Sequence, residues 1–374
     1  MELKDLTCRP PLKKINHTAM VCALGCQRKF LYRYRWGLRP KAKPIRPNLD
    51  VGTLGHRILS LGDEGPCIVR EEVTLEQMKI QAIIEQGGDL VGNLAASITE
   101  MSRAYEKAYA IVELWRNRFP PHDKIRDIGR EVVVECLLPN CDGLTLRAQI
   151  DVLVLDGRIS YRPATWIRDW KFSGLDLEQI MVGYGWGIQR RCYRLAADSY
   201  LQTHGYPPSS GFLLSYIRIP NIRLSNEDRD FRLVKKVFKT GKRKDQEIEQ
   251  LEYYGEPKHE NYMKRITRWY LEQGVQAMQS QAIIHNESPM TSEFGHALDF
   301  VRHCCQAEPI PEDFDRDMTR RACQEFRSAC CYEPLCGRNM GIWAALVGQD
   351  FEITKSLYDD DRDLQETNNE NIIT

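Results

Sequence analysis

Two neighbouring stretches, LTLRAQIDVLVLD (144–156) and TWIRDWKFS (165–173), decide the fold. Each is short and rich in β-branched and apolar residues, which is typical of β-strands. Gly157 follows the first stretch and allows the chain to turn back. The preceding stretch GREVVVECLL (129–138) has the same character. The three stretches together predict an antiparallel meander.

Charged residues interrupt the apolar pattern in the last two strands. Asp151 lies within AQIDVLVL, and Asp169 and Lys171 lie within IRDWKFS. Alternate side chains of a strand point to one face, so Asp169 and Lys171 project together, away from Trp170. Two strand-borne carboxylates beside a lysine predict a site for Mg²⁺ or Mn²⁺, which prefer oxygen ligands. The alternative interpretation is a pair of surface aspartates with a simple charge pair.

A helical pattern over 176–205 follows the second strand, and SGFLLSYIRI (210–219) is a further strand. Gln189 and Tyr193 are four residues apart in this helix and therefore share one face. The helix can pack beside the Lys171 strand, where an amide and a phenol could contact nucleic acid. An ordinary helix surface is the alternative. The order β-β-β-α-β predicts a mixed α/β core.

The residues before the meander are predicted to be mostly helical. In VGTLGHRILSLG (51–62), His56 follows Gly52 and Gly55. A neutral imidazole can complete a metal site, although a lone histidine is equally compatible with packing. A long helix is predicted over about 93–118, because apolar residues recur there three and four apart.

The segment CQRKFLYRYRWGL (26–38) is both basic and aromatic, and it predicts a helix that ends at Gly37. Tyr32, Tyr34 and Trp36 could stack on single-stranded bases. Candidate phosphate contacts are Arg28, Lys29, Arg33, Arg35 and Arg39, together with the basic segment 235–244. A packing helix with solvated charges is the alternative.

The chain has thirteen cysteines, an odd number that fits a disulfide framework poorly. Most lone cysteines are small buried apolar residues. The stretch RRACQEFRSACCYEPLCG (320–337) is different, because three of its thiols lie within fourteen positions: Cys323, Cys330 and Cys336.

A four-ligand site needs one more thiol, and Cys26 is a distant candidate. Thiolates suit either an iron–sulfur cluster or Zn²⁺. Cys331 could replace Cys330 as a ligand. The Cys304–Cys305 pair also remains a candidate.

The composition is that of a globular chain, with 374 residues, a net charge of zero and 42% hydrophobic residues. It excludes a collagen-like chain and extensive disorder. A neutral chain can still present a basic face to nucleic acid. No apolar run approaches the roughly 18 residues of a membrane span, and the first residues lack an apolar signal core. We therefore expect no membrane association and a cytoplasmic, reducing location.

Taken in order, these motifs resemble the PD-(D/E)XK nuclease superfamily, and within it the RecB-like iron–sulfur exonuclease branch. That branch includes the AddB C-terminal nuclease, the CRISPR adaptation exonuclease and phage relatives. The resemblance extends over roughly residues 20–340, although no glycine or proline immediately precedes Asp151. It implies a restriction-endonuclease-like α/β fold, a mixed central sheet flanked by helices, with a metal cluster joining the termini.

The resemblance implies a role for each matched residue. The catalytic metal, Mg²⁺ or Mn²⁺, would be held by His56, Asp151, Asp169 and the backbone carbonyl of Trp170. The catalytic residues would be Asp151, Asp169 and Lys171. Gln189 and Tyr193 would contact DNA. A [4Fe–4S] cluster, with Zn²⁺ as the alternative occupant, would be held by Cys26, Cys323, Cys330 and Cys336.

The expected organisation has five parts. They are an N-terminal helical region (1–128), a nuclease core (129–219), a mostly helical insertion (220–300), a cysteine cluster region (301–340) and a tail with a disordered acidic end (341–374).

The predicted function is that of a hydrolase, a Mg²⁺- or Mn²⁺-dependent deoxyribonuclease acting as an exonuclease. The alternatives are a non-catalytic, cluster-bearing DNA-binding subunit of a recombination or repair complex and an RNA-processing hydrolase. The expected partner is DNA, as single strands or duplex ends. A helicase is a further candidate partner, because the chain has no GxxxxGK[ST] motif. A homo-oligomer is compatible with the resemblance.

Overall fold

A central mixed sheet organises the protein. The computed structural model describes residues 6–41, 47–85, 91–158, 163–223, 225–237, 247–255, 258–315, 330–336 and 343–353. Its strands are β1 (Lys14–Ile15), β2 (Leu38–Pro40), β3 (Ile125–Leu137), β4 (Thr145–Asp156), β5 (Ala164–Ser173), β6 (Ser209–Arg218), β7 (Asp230–Val237), β8 (Glu247–Tyr254), β9 (Met278–Ile284) and β10 (Phe351–Ile353). Its helices are α1 (His17–Gly25), α2 (Gln27–Phe30), α3 (Pro47–Ser60), α4 (Gly65–Glu85), α5 (Val91–Arg118), α6 (Leu177–Trp186), α7 (Ile188–Thr203), α8 (His259–Gln273), α9 (Ser292–Gln306), α10 (Glu333–Cys336) and α11 (Trp343–Asp350).

The predicted meander forms the middle of this sheet. Strands β3, β4 and β5 are antiparallel neighbours, β6 runs parallel to β5, and β9 runs antiparallel to β6. The short β1 lies parallel to the start of β4. The order β-β-β-α-β is confirmed, with one difference. Two helices replace the single predicted helix over 176–205, because Gly187 adopts an extended conformation and begins α7. The architecture is consistent with a restriction-endonuclease-like fold.

Helices cover both faces of the sheet. One core contains Ile150 and Leu153 of β4 and residues of α1, α7 and α9. The other contains Val152 and Val154 of β4 and residues of α3, α4, α5 and α8. All four of these strand side chains are 0% exposed, which explains the nearly continuous apolar run of β4. Burial of such a side chain contributes about 1.5–3 kcal/mol. No helix in the described ranges is long and apolar enough to cross a bilayer.

The region 220–300 differs from its prediction. A mostly helical insertion was expected, but β7 and β8 pair as an antiparallel hairpin and β9 joins the central sheet. The hairpin exposes Phe231 and Leu233 (61% and 67% exposed). Polar and apolar residues alternate in the hairpin with the period of a strand. The concentrated basic charge of this region obscured that alternation in the sequence. Residues 238–246 lie outside the described ranges.

The two ends of the described chain pack together. Strand β2 pairs antiparallel with β10. The rings of Tyr32 and Trp36 contact Trp343, and Tyr32 also contacts Tyr332. The predicted tail from 341 therefore begins with a helix and a strand. Its acidic end, from 354 onward, lies outside the described residues.

The basic and aromatic segment 26–38 is part of this core. The predicted helix is confirmed as α2, which continues as a π-helical turn over Leu31–Arg35. Tyr32 and Trp36 are 0% exposed and Tyr34 is 6% exposed, so the expected stacking on bases is wrong. Arg35 is 1% exposed and donates hydrogen bonds to the carbonyls of Cys304, Cys305 and Ala307 at 3.0, 2.8 and 2.7 Å. The aromatic residues that suggested a binding surface serve to pack the termini.

Candidate functional site

Strands β4 and β5 bring the two predicted aspartates together. Val152 pairs with Arg168, so the next position of the ladder sets Asp151 opposite Asp169. The backbone N–H of Trp170 donates to Asp151 Oδ2 at 2.9 Å. Asp151 is 6% exposed and Asp169 is 1% exposed. Buried carboxylates require compensating partners, and nearby elements supply them.

His56 reaches this pair because α3 packs closely against β5. A Cβ atom at Gly55 would lie 2.6 Å from the Phe172 ring, and one at Gly52 would lie 3.4 Å from Phe172 Cβ. Glycine therefore permits the close approach of the two elements. The imidazole of His56 lies edge-on to the Trp170 ring, with centroids 5.6 Å apart. The Gly-x-x-Gly-His sequence thus positions its histidine beside the aspartates.

His56 bridges two carboxylates. Its Nε2 is 2.7 Å from Asp151 Oδ2, and its Nδ1 is 3.6 Å from Glu131 Oε1. Burial alone lowers the pKa of His56, but the two carboxylates outweigh burial and raise the pKa to about 10. His56 is therefore protonated at neutral pH in the metal-free protein. Because a metal ligand must be deprotonated, a cation at this place competes with that proton.

Glu131 is a further carboxylate of the cluster. Its neighbours in β3 pair with the two residues that flank Asp151, so Glu131 lies opposite Asp151. Its φ is 48°, in the left-handed region that non-glycine residues rarely adopt. Gln149 Nε2 donates to Glu131 Oε2, whereas the buried Oε1 makes no hydrogen bond within the described residues.

Glu131 and Glu135 are the two glutamates of the predicted strand 129–138, and either could add a carboxylate to the aspartates. Both lie on β3 with the same alternation, so the strand period does not separate them. The structure does, because Glu135 pairs with Lys14 at 2.7 Å while Glu131 faces His56. The backbone conformation of Glu131 has no signal in the sequence.

Lys171 connects the aspartates to the following helices. Its Nζ is 2.9 Å from Asp169 Oδ1 and 3.3 Å from Gln189 Oε1. Gln189 and Tyr193 lie one turn apart on α7. Burial raises the pKa of Tyr193 well above its usual value, and Asp151 and Asp169 act in the same direction. The phenol therefore stays protonated.

These groups border a cavity of about 350 Å³, to which helices contribute His17, His56 and Tyr193 and strands contribute Glu131 and Asp151 among others. The ring of His17 is edge-on to Tyr193, with centroids 5.4 Å apart. Burial, together with the charge of Lys171, lowers the pKa of His17 to about 4, although Asp151 acts in the opposite direction. His17 was not predicted as a site residue, because it belongs to no motif that the sequence shows.

The donor types in the cavity fit Mg²⁺ or Mn²⁺. Carboxylate oxygens of Glu131, Asp151 and Asp169 with one imidazole are suitable ligands, and the buried Glu131 Oε1 lies 3.6 Å from the His56 ring, too far for a hydrogen bond. In the described part of the chain, no three His, Cys, Asp or Glu side chains form a metal cage. His56 and Lys171 neutralise the aspartates instead.

Three of the four predicted cluster cysteines lie near one another. Cys26 begins α2, and its Sγ accepts a hydrogen bond from Lys29 N at 3.4 Å. Burial raises the pKa of Cys336 to about 11, and the thiols of Cys26 and Cys330 act in the same direction. Cys323 lies outside the described residues.

The alternative thiols have different surroundings. Cys331 forms a side-chain hydrogen bond with Cys330, which, with nearby Lys29, lowers the pKa of Cys331 to about 7. Cys304 and Cys305 are buried, and the pKa of Cys305 is raised to about 12 by burial, with Arg35 opposing. That pair lies on α9 and belongs to the packed core.

Comparison with known proteins adds one match. A family model of the PD-(D/E)XK nuclease superfamily matches residues 14–337. The matched range contains all six strands of the central sheet and the whole cavity. No curated protein matches the chain at a significant level.

Proposed function

We propose that this chain, which belongs to the PD-(D/E)XK nuclease superfamily, is a metal-dependent DNA exonuclease. Nucleases of the superfamily generally use Mg²⁺ or Mn²⁺. The observation that supports the proposal most strongly is the meeting of Asp151, Asp169 and Lys171, with Asp151 lining a cavity.

In the proposed site, His56, Glu131, Asp151, Asp169 and the backbone carbonyl of Trp170 would hold the cation. When bound, the cation supplies Lewis-acid polarisation of the phosphate and lowers the pKa of water. His56 would give up its proton to take part. The cation would take the place of the protonated imidazole as the positive group beside the carboxylates.

Lys171 supplies the remaining positive charge. Its Nζ is held by Asp169 and Gln189, so its position is fixed before substrate arrives. A fixed cation stabilises negative charge that develops on the phosphate, which contributes about 10²–10³ in rate for a comparable donor. Gln189 positions Lys171, and Tyr193 keeps a hydroxyl that can donate to the DNA strand.

The proposal extends to the terminal cysteines. Cys26, Cys323, Cys330 and Cys336 would hold a [4Fe–4S] cluster, with Zn²⁺ as the alternative occupant. It is supported by the grouping of Cys26, Cys330 and Cys336 and by the pairing of β2 with β10. The cluster would reinforce a junction that protein contacts already form.

A nuclease assay tests the proposal. End-labelled single- and double-stranded DNA is incubated with wild type, Lys171→Ala and the exposed-lysine control Lys264→Ala, in Mg²⁺, Mn²⁺ or EDTA. We expect metal-dependent release of end label, lost only in Lys171→Ala, which still binds DNA. DNA binding without cleavage by folded wild type would contradict the proposal and favour the non-catalytic subunit.

A further inference from the structure

We infer that the cavity extends along β4 into a second phosphate-binding site, formed by Arg147 and Lys14, for a phosphate further along the bound strand. We call it the Arg147 subsite, and Glu135 is its third member. The inference rests on the proposed function, because it names how that cavity would hold its substrate.

The alternation of β4 defines the direction of this extension. Arg147, Gln149 and Asp151 lie two residues apart, so their side chains share one face, and all three line the cavity. The Cα atoms of Arg147 and Asp151 are about 13 Å apart at the usual rise of a strand. Successive phosphates of one duplex strand rise by only about 3.4 Å. Arg147 is therefore suited to a phosphate further along the strand than the one near Asp151.

Two cations of the Arg147 subsite share one carboxylate. Glu135 pairs with Arg147 across β3 and β4, with Arg147 Nη1 4.0 Å from Glu135 Oε1. Lys14 Nζ is 2.7 Å from Glu135 Oε2. Among these three side chains positive charges outnumber negative charges two to one, which favours an anion.

The ion pairs of the subsite can open to admit a phosphate. The side chains of Lys14 and Glu135 are 47% and 37% exposed, and exposed pairs contribute only about 0–1 kcal/mol. The guanidinium of Arg147 can bind two phosphate oxygens at once. In the absence of DNA, the Glu135 carboxylate would pair with Arg147 and Lys14 in the place that the phosphate takes when the strand binds.

A purely structural role of the Arg147–Glu135 pair would give a different result when Glu135 is replaced. If Arg147 and Glu135 served only to stabilise the sheet, loss of Glu135 would weaken the fold and leave DNA binding unchanged or weaker. In the Arg147 subsite, loss of the competing carboxylate strengthens DNA binding.

The test is fluorescence anisotropy with a labelled single-stranded DNA 12-mer in EDTA, over a salt series. Wild type is compared with Arg147→Gln, Glu135→Gln and the control Arg126→Gln. Arg126 is an exposed arginine of β3 outside the cavity lining. We expect Arg147→Gln to reduce the slope of log K against log salt by about 0.7, and Glu135→Gln to bind several-fold more tightly. Arg126→Gln should match wild type.

Two results would overturn the inference: an unchanged slope in Arg147→Gln, or weaker binding by Glu135→Gln. If Arg147→Gln does not fold, Lys14→Gln replaces it, because Lys14 is largely exposed, and the same reduction in slope is required. If Arg147→Gln reduces the salt slope but the wild-type protein never cleaves DNA, only the proposed function is contradicted. Cleavage with no Arg147 effect would contradict the subsite alone.

Discussion

The candidate active-site cavity and the terminal cysteine region are assembled by different means. Asp151 and Asp169 lie on adjacent strands, next to the paired residues Val152 and Arg168. Cys26 and Cys336 lie near opposite ends of the chain and meet only because the termini pack together. The first arrangement depends on a local pattern, whereas the second depends on the complete tertiary fold.

The two regions also differ in what holds them. In the cavity, buried carboxylates are neutralised by His56 and Lys171, so its geometry is linked to charge. The cysteine region is held by rings such as Tyr32, Trp36 and Trp343, so its geometry is linked to apolar packing. Substitutions that change charge should therefore alter the geometry of the cavity. Loss of packing or of a metal cluster should alter the geometry of the cysteine region.

The largest expected effect concerns the cavity. Asp169→Asn removes both a proposed metal ligand and the carboxylate that holds Lys171. We expect nuclease activity to fall by at least about 100-fold in steady-state assays with Mn²⁺. Asp142→Asn, at an 80% exposed side chain, is the control and should retain wild-type activity. An equal loss of nuclease activity in both variants would contradict the assignment of Asp169 to the active site.

The next effect separates the cysteine region from the cavity. Cys26→Ser keeps an oxygen that can cap α2, because serine is a favoured N-cap, but it removes one proposed cluster ligand. We expect anaerobically purified Cys26→Ser to lose most of its iron, measured by elemental analysis, while Cys67→Ser on α4 keeps it. A wild-type protein without iron would contradict the iron–sulfur assignment. Bound zinc in its place would support Zn²⁺ as the occupant of the cysteine site.

A pH series sharpens the role of charge in the cavity. The two carboxylates raise the pKa of His56 from 6.5 to about 10, so the folded state binds the proton more tightly than the unfolded state. The resulting stability is fully present below about pH 6.5 and is lost as the pH rises through about 10.

Thermal unfolding in EDTA measures this effect. The difference in Tm between wild type and His56→Gln should be largest near pH 6 and should shrink steadily towards pH 10. A difference that stays constant over this range would show that His56 stabilises the fold by packing and not by its charge.

The smallest effect concerns packing of the termini. The hydroxyl of Tyr332 donates to the buried carbonyl of Leu38 at 2.8 Å. Tyr332→Phe should lower the free energy of unfolding by about 1 kcal/mol in urea titrations and leave nuclease activity unchanged. The control Tyr253→Phe, on the exposed hairpin, should change stability by less than about 0.5 kcal/mol. A large loss of activity in Tyr332→Phe would show that the two regions are coupled.

The sequence predicted the parts that short-range periodicity controls. The alternation of β5 predicted that Asp169 and Lys171 project together, as their contact shows, and the spacing of Gln189 and Tyr193 predicted their shared helix face. Three features were not predictable in this way. The pairing of β7 with β8 was obscured by the basic charge of that region, Glu131 depends on an unusual backbone conformation, and His17 depends on packing of α1 against α7. The aromatic segment 26–38 has the composition of a binding surface, but only tertiary contacts reveal its burial.

The most direct test of the account is the position of a bound cation. Crystals soaked in Mn²⁺ would be measured at a wavelength where manganese scatters anomalously. The account predicts a peak in contact with the carboxylates of Asp151 and Asp169, with His56 released from Asp151. A peak elsewhere, or none at saturating Mn²⁺, would contradict the assignment of this cavity as the catalytic site.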